Sequence, residues 1–451
     1  MRALLRQDTG QYSALAPARR FMVALAVLPT CRIMVFTMAQ HHVVLVPGFF
    51  GFGNLGGLTY FVGVRQALER SFVRRGLDVH VVEVPTLPTA SIRHRAARVL
   101  ETLAEVSHGD DAPIHIIGHS TGGLDARLAI APTASLPTST EFGAYERVRT
   151  LVTVSAPHFG TPLATAFGSA MGKPLLRLVA LATTYVLQYG RLPLSVILKI
   201  GEVVTKLDDR IGLKNTIADE LYANLLSDMS PERRRQISEF IEGITNDQSL
   251  IFQLTPAGCD LLNASTADPD QVHYGCVVTR ARRPGITAVL RHRHNVYAQS
   301  LYAVYALLYT LTGRGKPDQF PIPVELQRQA LRRSYGKVPN HQDNDGVVPT
   351  LSQVWGEVIF CAEADHLDVV GHYGREDPTS PDADWLPTNS GFGSGDFEQL
   401  WDAIADFVTR DVEQGPDVGR RRNVGKERTS LDALEASLKM EKSRSEPAQD
   451  P

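Results

Sequence analysis

Residues 114–127 read Ile114-His115-Ile116-Ile117-Gly118-His119-Ser120-Thr121-Gly122-Gly123-Leu124-Asp125-Ala126-Arg127. Ile114 to Ile117 is a short β-branched run and predicts a buried strand. A helix is expected from about Gly122. Between them Gly118-His119-Ser120-Thr121-Gly122 fits G-x-S-x-G, which carries meaning only in this strand–turn–helix setting. A serine on so tight a turn needs neighbours without a Cβ, and Gly118 and Gly122 supply them. The turn lifts the hydroxyl above the sheet. The helix that follows points free N–H groups at the same place, which favours developing negative charge.

Outward from this stretch, strand and helix patterns alternate. His42 to Val46, Asp78 to Val84 and Thr150 to Val154 read as further strands. Tyr60 to Arg74 and Ser91 to Val106 read as amphipathic helices. This order predicts an α/β domain with a mainly parallel sheet and helices on both faces. From Pro162 no strand pattern appears until Val272 to Val278 and Glu357 to Cys361. Apolar helical stretches, Leu175 to Leu187 and Leu192 to Val204, fill the gap. They predict a helical insertion over about 162–245. A last helix is expected over Asp396 to Thr409.

The 451 residues include 46 Lys plus Arg against 49 Asp plus Glu, a formal net charge of −3. That balance gives no reason to expect nucleic acid as a partner. Four cysteines make no disulfide scaffold at this size and show no metal-ligand spacing. Cys259 and Cys276 could pair if the protein is exported; Cys361 is expected in a strand. Residues 1–38 admit three readings. They resemble a signal or anchor (Arg19-Arg20 before the apolar run Phe21 to Leu28), they precede a true start at Met38, or they are ordered structure. The compartment follows that choice: secreted or membrane-anchored in the first case, cytoplasmic in the second. The body is expected over 39–412, and the polar, mixed-charge run 413–451 is expected to be a disordered tail.

A serine hydroxyl needs a histidine to take its proton, and the histidine needs a carboxylate to hold it. After Ser120 the order acid-then-histidine is met by Asp345, in Asn344-Asp345-Gly346, and His366, in Asp365-His366-Leu367-Asp368. Asp345 is expected on a loop after a strand. Asp343 competes for the acid and His372 for the base. His119 and His158 read as packing residues, and Asp125 as a structural hydrogen-bonding residue. Val44 to Gly53 runs from the end of the first strand into a Gly-rich loop without phosphate-loop spacing.

Together these segments resemble the bacterial triacylglycerol lipases of the α/β-hydrolase fold, the group of the pseudomonad and Burkholderia lipases. Val43 to Gly53 is similar to the oxyanion segment, although Pro47-Gly48 stands where that group has His-Gly. Gly118 to Arg127 resembles the nucleophile segment, and Ser155-Ala156-Pro157-His158-Phe159-Gly160-Thr161 a strand-end segment. The acid and histidine segments are those already quoted. The resemblance implies a serine esterase that acts on medium- or long-chain acyl esters, with Ser120, Asp345 and His366 as the triad. It assigns the oxyanion hole to the N–H groups of Phe49 and Thr121. Phe50 and Phe52 would line an acyl pocket, and the insertion would form a lid or pocket wall at a lipid–water interface. No organic cofactor is implied. A structural calcium near Asp368 is, with His372 where that group has an amide. Secreted members often use a folding chaperone. Acyl transfer, a short-chain esterase and an inactive lipid-binding protein stay open as alternatives.

Overall fold

The computed structural model describes residues 40–49, 59–86, 90–108, 110–140, 142–169, 249–285, 296–374 and 388–413, with Leu386 and scattered positions between 176 and 242. The expectations for residues 1–38, for the tail beyond 413, for Phe50 and Phe52, and for most of the insertion lie outside the described residues.

Among the described residues six strands form one sheet. They are β1 (Gln40–Val46), β2 (Asp78–Glu83), β3 (Ile114–His119), β4 (Val148–Val154), β5 (His273–Thr279) and β6 (Glu357–Ala362). Their order is β2-β1-β3-β4-β5-β6, and every neighbouring pair is parallel. Parallel neighbours need long crossovers, and helices α1 (Val64–Arg74), α2 (Ile92–Ser107) and α3 (Thr121–Ala129) supply the first three. Alternation along the strands divides the core. Val43 and Leu45 pack with Leu68 and Phe72 of α1 and with Trp401 of the last helix. Val44 and Val46 pack with Val99 and Leu103 of α2 and Ala126 of α3. Both faces are thereby covered, as a parallel sheet requires. The order of strands, with the nucleophile turn at the end of β3, is that of the α/β-hydrolase fold.

The chain continues through α4 (Pro162–Gly168), α5 (Ser249–Gln253) and α6 (Pro256–Ser265), then α7 (Val296–Thr312), α8 (Glu325–Tyr335) and α9 (Ser394–Glu413). Helices α4 and α6 start in the same way. Thr161 and Thr255 cap them with their side-chain oxygens, and Pro162 and Pro256 occupy the first turn. Three expectations shift. The first helix begins at Val64 rather than Tyr60, because Gly63 takes φ 73° and the segment before it turns into the site. Asp345 follows α8 rather than a strand. The Cys259–Cys276 pair does not form: both thiols are free and buried. The Cys259 thiol donates to Pro157 O at 3.4 Å, while Cys276 accepts the Trp355 N–H at 3.4 Å within β5.

At the end of the sheet remote from Ser120, His41 Nδ1 meets His115 Nε2 at 3.0 Å, and His115 Nδ1 meets Thr150 Oγ1 at 2.8 Å. Burial, with His41 and Arg149 nearby, pushes His115 down to about 3. Burial lowers His41 as well, helped by His42. Such groups take up protons first in the unfolded chain, so stability is full above the free value of 6.5 and falls as the pH drops toward 3. His115 contributes a slope of roughly 1.4 kcal/mol per pH unit in that window, and His41 adds to it in the same direction. Urea midpoints are expected to drop steeply from pH 6.5 to 5, and a His41→Gln/His115→Gln variant to show a flatter profile. Parallel profiles would exclude this pair as the source.

Candidate active site

Ser120 takes φ 55° and ψ −129°, a conformation that non-glycine residues rarely adopt. Its neighbours explain the motif. A Cβ on Gly118 would lie 2.5 Å from Gly122 O, and one on Gly122 would run into Val46 O and lie 2.8 Å from Pro47 O. Both glycines are therefore steric requirements of the turn. The Ser120 N–H donates to Val154 O at 2.9 Å, which anchors the turn to β4.

Ser120 Oγ lies 2.9 Å from His366 Nε2, and His366 Nδ1 lies 2.9 Å from Asp345 Oδ2. His366 sits on the loop after β6. Its backbone N–H donates to Asp345 O at 3.2 Å. Asp345 is fully buried, and its Oδ1 accepts the N–H groups of Val347 and Val348 at 2.9 and 2.7 Å. With Nδ1–H turned to a carboxylate, Nε2 is the free acceptor for the serine proton. The structure thus brings Ser120, His366 and Asp345 into one hydrogen-bonded line. Asp343 faces elsewhere, with Oδ1 on Arg283 and Oδ2 on the Asn340 N–H. His372 Nε2 donates to Tyr60 O at 2.9 Å.

The oxyanion loop is held from two sides. Arg95, fully buried in α2, donates to Pro47 O at 2.7 Å and Gly48 O at 3.1 Å. Its Nε donates to Asp125 Oδ2 at 2.8 Å. Burial pushes the Asp125 carboxyl up to about 6 against the pull of Arg95. From the other side the Gly48 N–H donates to Tyr60 Oη at 2.9 Å. Tyr60 Oη lies 2.7 Å from His119 Nδ1, and His119 Nε2 lies 2.9 Å from His366 O. A carbonyl can only accept, so His119 donates from Nε2 and Tyr60 donates to Nδ1. Burial, and the neighbouring His366, lower His119 far enough to keep it neutral. A trans peptide points its C=O and N–H in opposite directions. With Gly48 O turned to Arg95, the N–H of Phe49 is turned away from Arg95. The Thr121 N–H, at the first turn of α3, has no intrahelical acceptor. Phe49, Ser120, Thr121 and His366 line one pocket.

That pocket is almost wholly apolar, with Leu163 and Phe167 of α4, Ile251 of α5 and Leu308 of α7 in its wall. Leu176 and Val179, two described positions of the expected insertion, also line it. His158 lies outside the pocket lining. Its Nε2 meets Thr153 Oγ1 at 3.0 Å and Nδ1 meets Arg127 at 3.3 Å, with Arg127 stacked 3.6 Å above the Trp355 ring.

Asp368 Oδ2 accepts the Asp365 N–H and the Ser390 hydroxyl, both at 2.9 Å. Asp365 Oδ1 accepts the N–H groups of Leu367 and Asp368. Among the described residues no three His, Cys, Asp or Glu side chains come together to hold a metal ion. These bonds tie Asp365, Asp368 and Ser390 together across the histidine loop. Incubation with a chelator tests whether calcium adds to these bonds: a fall in turnover or melting temperature, reversed by calcium, would show that it does, and unchanged values that the hydrogen bonds suffice.

Sequence reasoning missed Arg95, and placed Tyr60 in a helix. Neither has a local signature, because each acts on segments distant in the chain. Asp125 is the structural partner expected of it.

Residues 38–191 match a family model described as "Putative serine esterase (DUF676)". A triacylglycerol lipase of Vibrio cholerae serotype O1 is 34% identical over 107 residues, 23% of this chain and 32% of that protein. A triacylglycerol lipase of Pseudomonas fragi is 31% identical over 129 residues, 28% of this chain and 37% of that protein. The chain thus spans about a third of the length of the curated relatives it matches. Among solved structures, lipase 1 from Pelosinus fermentans is 17% identical with a TM-score of 0.46, over 83% of this chain and 99% of that one. Residues 38–191, which carry the nucleophile turn, are therefore similar to a family described as putative serine esterases, and part of the chain is similar to triacylglycerol lipases.

Proposed function

We propose that the protein is a serine carboxylester hydrolase that cleaves esters of medium- or long-chain acyl groups; the relatives named serine esterase and triacylglycerol lipase support the first part and the apolar pocket the second. The observation that carries this reading is the Ser120–His366–Asp345 line, whose serine and histidine border an apolar pocket. His366 takes the Ser120 proton as the hydroxyl attacks the ester carbonyl. The N–H groups of Phe49 and Thr121 receive the oxyanion, each such donor being worth roughly 3–4 kcal/mol in the transition state. Asp345 holds the Nδ1–H tautomer and stabilises the imidazolium. His366 then protonates the leaving alcohol, and water, activated by the same histidine, releases the acid. The reaction needs only these groups.

The pocket wall gives an acyl chain no polar partner, so burial of methylenes sets the preference, at about 0.8 kcal/mol each. In a nitrophenyl ester series from acetate to palmitate, with Ser120→Ala as the blank, kcat/KM is expected to rise at least tenfold from acetate to octanoate. A maximum at acetate would make the pocket a packing feature. Equal rates for protein and blank would remove the hydrolase reading.

A further inference from the structure

We propose that Thr279 and Ser155, held in register by Gln353, are positioning residues that set the proton affinity of the Asp345–His366 pair. This rests on the hydrolase reading above. The oxygen of Asp345 that faces His366 has two more partners. Thr279 Oγ1 lies 2.8 Å from Oδ2, and Gln353 Nε2 donates to it at 3.2 Å. Thr279, Gln353 and Ser155 are all fully buried.

The direction of each bond follows from the partners. Gln353 Oε1 accepts the Thr279 N–H at 2.6 Å, which fixes the amide with its NH2 toward Asp345. Thr279 has one hydroxyl proton. Its neighbours Asp345 Oδ2 and Gln353 Oε1 both accept only, and the carboxylate is the stronger acceptor. Thr279 therefore donates to Asp345, and Ser155 Oγ, 2.9 Å from Thr279 Oγ1, donates to Thr279. The two hydroxyls form a chain that ends on the charged oxygen, each bond polarising the next.

Backbone strain supports the assignment. Ser155 takes φ 52°, one of the few non-glycine residues described with positive φ, alongside the nucleophile itself. Its N–H donates to Val277 O at 3.1 Å, the strand that ends in Thr279. Strain of this kind costs about 1–3 kcal/mol and persists only where the surroundings over-determine it. Here it carries a hydroxyl to Thr279 at the end of β5.

Donors on the oxygen that faces the imidazole disperse the charge the imidazolium sees. Removal of one makes Asp345 a stronger partner for His366⁺ and raises the pH at which His366 loses its proton. The acid limb of kcat/KM moves up. The other groups facing the pair are His119, Tyr305 and Tyr335, all kept neutral by burial. Asp365, Asp368, His372 and Arg280 lie on or beside the histidine loop. None of these seven bonds the Thr279 hydroxyl.

The test is the pH profile of kcat/KM for an octanoate ester in the wild-type protein and its variants. Thr279→Val, which keeps the shape and removes the hydroxyl, is expected to move the acid limb up by about 0.5–1 unit. Thr279→Ser is expected to return the wild-type profile, and Ser155→Ala to shift it in the same direction by less. A Thr279→Val limb that coincides with wild type, even at lower kcat, overturns the proposal, as does Thr279→Ser behaving like valine. If Thr279→Val fails to fold, by loss of fluorophosphonate labelling and of the melting transition, Ser155→Ala decides, and an unshifted limb there overturns it. An inactive wild-type protein would count against the hydrolase reading instead.

Discussion

Asp345→Asn is expected to leave the fold intact and to lower kcat by roughly 10⁴-fold. The reason lies in the donors around this side chain. Oδ1 accepts two backbone N–H groups, from Val347 and Val348, which cannot turn away. An asparagine must place its own oxygen there and its NH2 toward His366. Nδ1 then has to accept, and the ring proton moves to Nε2. The nitrogen 2.9 Å from Ser120 Oγ thereby loses the lone pair that takes the serine proton. Gln353 Nε2 is left facing another amide N–H, which adds a small loss of stability. The measurement is single-turnover acylation by a nitrophenyl ester, with a melting curve on the same sample. A loss below tenfold would mean that another group orients His366.

The second large effect is expected at Arg95. Arg95→Met keeps most of the volume and removes the guanidinium. Asp125, fully buried, then has no counter-charge, and its Oδ1 already lacks a hydrogen-bond partner among the described residues. A broken buried pair of this kind costs about 3–5 kcal/mol. Pro47 O and Gly48 O lose their donors together, so the peptide that carries the Phe49 N–H is free to rotate. Loss of one oxyanion donor lowers kcat by about 10²–10³. Both losses are expected, the first in the urea midpoint and the second in kcat of the folded protein with KM little changed. Asp125→Asn should be milder in both, because burial already pushes that carboxyl up to about 6. If Arg95→Met changed stability alone, the oxyanion loop would be fixed by Tyr60 and the chain turn.

The legible part of the fold is the part encoded within short windows. The strand before Ser120, the glycines around it and the helix after it can be read together, because their constraint is local sterics. The β-branched runs of β1, β3, β4 and β5 can be read through burial on both faces, while β2 and β6, at the edges and only partly buried, show as short β-branched runs alone. Asp345 and His366 carry a signal of order and turn chemistry, which is enough to bring them forward as candidates. Arg95 has none. It looks like any arginine in an amphipathic helix, and only the packing of α2 against the loop after β1 makes it a buried ligand of two carbonyls. Thr279 and Gln353 are likewise ordinary in sequence. They matter because β5 and the segment before β6 end beside Asp345. Gly63, by contrast, marks a helix start through a local conformation, and a reading that weighs glycine more heavily there would place the helix correctly.

The line from Ser120 to His366 joins residues 246 positions apart, and the sheet that supports them is parallel throughout. Every strand pairing must therefore wait for a crossover to close, and the loop after β6 is in place only when the last strand has docked. Non-local topologies of this kind fold slowly, and intermediates are common at this size. Secondary structure should return on refolding well before the serine becomes reactive. The lag between far-ultraviolet circular dichroism and fluorophosphonate labelling then times the final docking of β6.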